Sequence, residues 1–105
     1  MKILLVCAGG MSTSILMNKM KKALTSEQAD WDIIARPIET IRDYIEEYDV
    51  ILLGPQVKHK LEKIKDEFKE FGKPIDMISP IDYGMGNGTA VLKQAIELVQ
   101  EKESI

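Results

Sequence analysis

Cys7 is the only cysteine in a chain of 105 residues. It stands directly before a run of small and hydroxyl-bearing residues, Ala8-Gly9-Gly10-Met11-Ser12-Thr13-Ser14. Sulfur is a nucleophile as the thiolate. Gly9 and Gly10 let the backbone turn tightly and expose its N–H groups. Ser12, Thr13 and Ser14 belong to the residue types that cap helix starts. A helix N-terminus carries the positive end of the peptide dipole and binds anions. A thiolate beside a phosphate-sized cradle points to covalent phosphoryl chemistry. Cys7 attacks phosphorus in line while backbone N–H groups from Ala8 through Ser14 hold the phosphoryl oxygens. The three hydroxyls add neutral donors, cap the helix, or do both.

This chemistry needs a strand that stops at the nucleophile and a helix that starts after it. Residues 2–6 are an apolar run ending just before Cys7, and residues 12–25 follow the helical period with Leu16, Met20, Ala23 and Leu24 on one face. Further strand-like runs cover residues 31–36, 50–53 and 75–78. Helical patterns cover residues 39–47 (Ile38, Ile41, Ile45 and Tyr48 in register), the stretch from Val57 to Phe71, and the chain after Gly88. Gly72 and Pro74 end the third of these helices, and the last frays over its final five residues. Alternating strands and helices predict a single α/β domain over residues 1–105 with an open four-stranded parallel sheet and helices on both faces. The runs 2–6 and 50–53 are unbroken and suit central strands. Asp32 and Asp76 place the other two at the edges. Right-handed crossovers then give the order 2-1-3-4. Its winding reverses between strands 1 and 3, where open α/β sheets bind ligands beyond the strand carboxyl ends. Cys7 lies at that point. Gly54, Pro55 and Gln56, after strand 3, and Asp82, Tyr83 and Gly84, after strand 4, form the rim.

Composition narrows the function. The formal net charge is −3 with no basic block, which argues against a nucleic-acid partner. One cysteine excludes an intrachain disulfide and a multi-cysteine metal site, and an exposed thiol suits a reducing cytosol. No carboxylate cluster suggests magnesium, so neither metal nor cofactor is expected. The N-terminal apolar run is too short for a signal or a membrane span, and the protein reads as cytoplasmic. The charged edge strands favour a monomer. The loop is neither a Walker loop, since no Gly-Lys-Ser/Thr follows, nor a dinucleotide fingerprint, since the third glycine is missing. His59, the only histidine, sits in Lys58-His59-Lys60 at the polar start of a helix and reads as a solvated surface residue. Asp82 reads as a turn residue, and Trp31 and Phe68 as packing. Met11 either offers partners a flexible apolar contact or folds inward.

The loop resembles that of the low-molecular-weight tyrosine phosphatases, whose pattern is Cys, five residues, Arg, then Ser or Thr. The resemblance implies a similar architecture. Here Thr13 stands in the Arg position and Ser14 in the hydroxyl position. A guanidinium would clamp the equatorial oxygens of a hydrolytic transition state. Its absence handicaps a phosphatase and suits a phosphoryl carrier.

The whole chain resembles enzyme IIB of the lactose/cellobiose (chitobiose) group of the bacterial phosphoenolpyruvate-dependent sugar phosphotransferase system. The matching residues are Cys7-Ala-Gly-Gly-Met-Ser-Thr-Ser14 after a first strand, Ile51-Leu-Leu-Gly-Pro-Gln56 after the third, and Tyr83-Gly84 with Gly88 before the last helix. The resemblance implies a phosphotransferase acting through a phosphocysteine at Cys7. The phosphoryl group would come from a phosphohistidine of enzyme IIA and pass to a sugar, of the cellobiose, chitobiose or lactose type, bound by membrane enzyme IIC. The protein would thus visit the inner face of the membrane. Two other readings compete: a cysteine-dependent phosphatase or arsenate-reductase-like hydrolase, and a non-catalytic anion-binding interaction module. The absent loop Arg, the absent Asp-Pro pair and the lack of further cysteines weigh against the hydrolase.

Overall fold

The computed structural model describes residues 1–8 and 12–103. Gly9, Gly10 and Met11 of the expected anion loop lie outside the described residues, as do the last two residues of the chain. Strands β1 (Lys2–Cys7), β2 (Asp32–Pro37), β3 (Val50–Leu53) and β4 (Ile75–Met77) form one sheet in the order β2-β1-β3-β4, as the sequence predicts. Every pairing is parallel.

Helices α1 (Ser12–Ala23) and α5 (Gly88–Glu103) cover one face, and α2 (Ile41–Tyr44) and α3 (Leu61–Glu67) the other. Strand alternation sends Ile3 and Leu5 toward Leu16, Met20, Val91 and Ala95, and Leu4 and Val6 toward Ile41, Ile45 and Phe68. Both faces of β1 and β3 are therefore dry, which is why their sequences are unbroken apolar runs rather than alternating ones.

Three expectations about local structure need correction. The predicted helix over residues 39–47 is a 3₁₀ turn, Ile38–Thr40, followed by the single-turn α2. The predicted continuous helix from Val57 to Phe71 is three pieces: a 3₁₀ segment Pro55–Lys60, then α3, then a 3₁₀ turn Lys69–Phe71. Val57 and Phe68 leave helical geometry at φ −116° and −111°. Both helix types bring residues three apart onto one side, so Val57, Leu61, Ile64, Phe68 and Phe71 still face the core, and apolar spacing alone does not separate the two. Third, Asp82 is not in an open turn. It lies in the first turn of a short helix, α4 (Pro80–Met85).

Glycines terminate these pieces. Gly72 takes φ +68° after Phe71, and Gly86 takes φ +62° after α4. The Gly86 N–H donates to the Tyr83 carbonyl (3.1 Å) and the Asn87 N–H to the Asp82 carbonyl (2.9 Å), the paired bonds of a Schellman stop. Asn87 then caps α5, its Oδ1 accepting the Ala90 N–H at 3.1 Å.

The amino ends of the strands form the opposite pole. There the Tyr48 hydroxyl donates to Asp32 Oδ2 at 2.6 Å, and the Lys2 N–H to Asp49 Oδ2 at 2.7 Å. Burial, reinforced by the Asp32 hydrogen bond and charge, pushes the Tyr48 hydroxyl up to about 12. The last turns of α5 reach the same pole, where Leu98 and Lys102 share a groove with Pro74, Ile75 and Asp76.

Candidate functional site

Cys7 is the last residue of β1, in register with Pro37 of β2, rather than the first residue beyond the strand. Its side chain is only 6% exposed, so the thiol expected on the surface is buried. Ala8, next along, is exposed. From there the chain passes to Ser12, the first residue of α1. Cys7 is thus fixed by a central strand, with the first residue of α1 five positions on. That arrangement is the one the sequence predicts for anion binding.

The exits of the central strands are tied together beside it. The Gly54 N–H donates to the Val6 carbonyl at 2.8 Å, and the Ile78 N–H to the Leu53 carbonyl at 2.8 Å. Gly54 has φ −63° and ψ 153°, which any residue can adopt, so its backbone does not require glycine. A Cβ at Gly54 would stand 3.6 Å from Cys7 Cβ and 2.8 Å from Gln56 Oε1. The tip of the Gln56 side chain occupies the space that a Gly54 side chain would enter.

Thr13 is fully buried. Its Oγ1 lies 3.3 Å from the Tyr83 hydroxyl, where either oxygen can donate. The same Tyr83 oxygen accepts from Gln56 Nε2 at 3.1 Å. One phenol therefore joins the start of α1, the segment after β3 and α4. Three of the residues expected at the site from separate parts of the chain, Thr13, Gln56 and Tyr83, are brought together. Pro55 opens the 3₁₀ segment that carries Gln56, and Gly84 follows Tyr83 with open space where a Cβ would stand. Asp82 contributes its backbone carbonyl to the stop of α4. Ser14 is partly exposed on the first turn of α1.

Sequence reasoning missed the apolar surface beside this centre. Ile15 (58% exposed), Ile81 (72%) and Met85 (73%) are large apolar side chains left open on α1 and α4. Ile15 and Met85 line a groove of about 310 Å³ with Lys19, Tyr83 and Gly84. Their signal was present in the sequence. Ile15 falls off the buried face of the α1 period, and Ile81 and Met85 are four apart in a segment read as irregular. A larger groove of about 640 Å³, between α2 and α3, holds no member of the predicted site; the exposed His59 lines it with Lys60 and Lys63. Among the described residues no group of three or more His, Cys, Asp or Glu side chains converges on a metal position, and no helix is long and apolar enough to cross a membrane.

Comparison with known proteins agrees with this arrangement. The family described as "PTS system, Lactose/Cellobiose specific IIB subunit" matches residues 2–94. The chain is 38% identical over 102 residues to the galactose-specific EIIB component of Lactococcus lactis subsp. cremoris, covering 92% of this chain and 94% of that one. The same figures hold for the cellobiose-specific EIIB component of Lactococcus lactis subsp. lactis. It is 29% identical over 100 residues to the lactose-specific EIICB component of Staphylococcus haemolyticus, covering 95% of this chain but 17% of that longer one. The solution structure of the cellobiose-specific IIB component from Borrelia burgdorferi superposes with a TM-score of 0.80 at 37% identity, covering 97% of this chain and 94% of that one. The chain therefore belongs to the lactose/cellobiose-specific IIB family of the sugar phosphotransferase system.

Proposed function

We propose that this protein carries a phosphoryl group on Cys7 during sugar uptake, taking it from a phosphohistidine of EIIA and giving it to a sugar bound by membrane EIIC. In the first step the Cys7 thiolate attacks phosphorus. The P–N bond breaks, and its electron pair returns to the imidazole, which takes up a proton. In the second step a sugar hydroxyl attacks, the P–S bond breaks with its pair on sulfur, and the hydroxyl proton ends on sulfur, restoring the thiol.

One observation carries the reading. Cys7 ends a central strand at the reversal of sheet winding, and α1 begins five positions later at Ser12. Backbone N–H groups of residues 8–14, including those of Gly9, Gly10 and Met11, would hold the phosphoryl oxygens. The exposed Ile15, Ile81 and Met85 give a protein partner something apolar to cover beside a buried nucleophile. EIICB relatives, in which a matching segment is part of a longer chain, support EIIC as acceptor. Relatives named for galactose and for cellobiose are equally similar to this chain, so the choice among cellobiose-, chitobiose- and lactose-type sugars is assigned to EIIC.

The test is incubation with a phosphohistidine donor followed by intact-mass measurement and peptide mapping. A stable gain of one phosphoryl group on Cys7 supports the carrier. Rapid turnover of an aryl phosphate, with no stable adduct, would identify a hydrolase instead.

A further inference from the structure

We propose that Gln56 orients the hydroxyl group that attacks the phosphoryl group on Cys7, and that Tyr83 is the positioning residue that holds the Gln56 amide for this task. The inference rests on the phosphocysteine reading and assigns the acceptor step to particular atoms. A primary amide has a donor end and an acceptor end. Gln56 Nε2 gives one of its two hydrogens to the Tyr83 oxygen at 3.1 Å, which sets the rotation of the amide. The acceptor end, Oε1, then points toward Gly54. The place where a Gly54 Cβ would stand is 2.8 Å from Oε1 and 3.6 Å from Cys7 Cβ. Gln56 Oε1 and Cys7 Cβ thus border the same space, the one a Gly54 side chain would enter. Tyr83 is itself anchored, 3.3 Å from the hydroxyl of the fully buried Thr13.

A neutral amide oxygen suits the acceptor step. It accepts a hydrogen bond from an incoming O–H group and so aims an oxygen lone pair at phosphorus, without a negative charge that would repel the phosphoryl oxygens. Phosphoryl transfer has a loose transition state in which positioning the nucleophile counts for more than removing its proton early. The P–O bond forms as the P–S bond breaks, and the sulfur keeps the bonding pair. The hydroxyl proton, passed through a phosphoryl oxygen, ends on sulfur, leaving a phosphate ester and a free thiol. Loading of Cys7 from a P–N donor has no hydroxyl nucleophile and makes no use of this group.

The two half-reactions therefore respond differently. The protein is loaded with phosphoramidate, a small P–N donor. Decay of phosphocysteine is then followed by mass in water and in water with added glycerol, a small polyol probe, with glycerol phosphate measured. Gln56→Leu is expected to slow decay to both nucleophiles by about tenfold or more while loading changes less than twofold. Tyr83→Phe, which keeps the ring and releases the amide, is expected to slow decay in the same direction by a smaller factor. Circular dichroism checks the fold, and the exposed position of Gln56 tolerates the exchange. Unchanged or faster decay in Gln56→Leu overturns the inference, as does an equal slowing of loading and decay. Failure of the unaltered protein to load on Cys7 overturns the phosphocysteine reading itself, and this inference with it.

Discussion

Gly88, the first residue of α5, lies against the α1 backbone at Lys19 so closely that a Cβ there would stand 2.5 Å from the Lys19 carbonyl carbon, 2.6 Å from its oxygen and 2.6 Å from the Met20 nitrogen. Backbone cannot swing aside as a side-chain tip can. Gly88→Ala is expected to force the two helices apart and to destabilise the protein by about 3 kcal/mol, read from urea unfolding. Gly84→Ala is the internal comparison. A Cβ there meets nothing within 4 Å, and a helical Gly-to-Ala exchange should leave stability unchanged or raise it by about 0.5–1 kcal/mol.

Cys7→Ser should keep the fold and abolish phosphoryl loading. The serine hydroxyl fits the buried position, but it is hardly ionised at neutral pH and needs a base to become a nucleophile. His59 lines a groove between α2 and α3 to which none of Thr13, Gln56 and Tyr83 contributes. His59→Ala should therefore load to within a few-fold of the unaltered protein. Loading of Cys7→Ser at an undiminished rate would move the acceptor to another residue; intact mass with peptide mapping decides.

Position 13 tests why the loop has no arginine. Thr13→Val preserves shape and removes one hydroxyl from Tyr83; about 1 kcal/mol of stability should go with it. Thr13→Arg would put a guanidinium where the side chain is fully buried. The expected loss is about 3–5 kcal/mol, that of an uncompensated buried charge. A phosphatase-type loop would then be out of reach of a single exchange. Urea midpoints of the two variants give the comparison, and a Thr13→Arg protein as stable as the unaltered one would show that Tyr83 moves aside at little cost.

Tyr48 makes stability depend on alkaline pH. Its hydroxyl is held neutral by burial and by Asp32, up to about 12 in the folded chain, against about 10 for an unfolded tyrosine. Below pH 10 both states are protonated, and the contribution is complete. Above pH 10 the unfolded chain releases the proton and the folded chain does not, so stability falls and this contribution is lost as pH passes about 12. The difference in unfolding free energy between the unaltered protein and Tyr48→Phe should be flat below pH 10 and shrink from pH 10 to 12. A difference that grows over that interval would contradict the assigned cause.

Most of the fold was legible because its central strands are buried on both faces. Residues 3–6 and 50–53 had to be apolar without interruption, and Asp32 and Asp76 could stand only in strands with less cover; the sheet order follows from that contrast. Helix continuity was less legible. The spacing of Val57, Leu61, Ile64, Phe68 and Phe71 is served equally by 3₁₀ and α turns, so the breaks at Val57 and Phe68 left no trace in the apolar pattern. The helix α4 was hidden because Gly84, Gly86 and Gly88 made the segment read as loop. One of these glycines ends a helix, one opens the next, and only the Asn87 between them marked the junction. The place of Cys7 where a central strand gives way to a helix was legible in the residues on either side of it. The bond between Thr13 and Tyr83 joins residues 70 positions apart, and no local pattern encodes it.

Both described ends of the chain lie at the pole opposite Cys7. The Met1 carbonyl accepts from the Asp32 N–H at the start of β2, and Lys102 sits beside Pro74 at the start of β4. A linker joined at either end would act as a leash on the far side of the domain. The rim around Cys7 would stay clear of the attachment whichever end was held. The same polarity would let such a domain be joined into a longer polypeptide, as in the EIICB relatives, without covering the rim around Cys7.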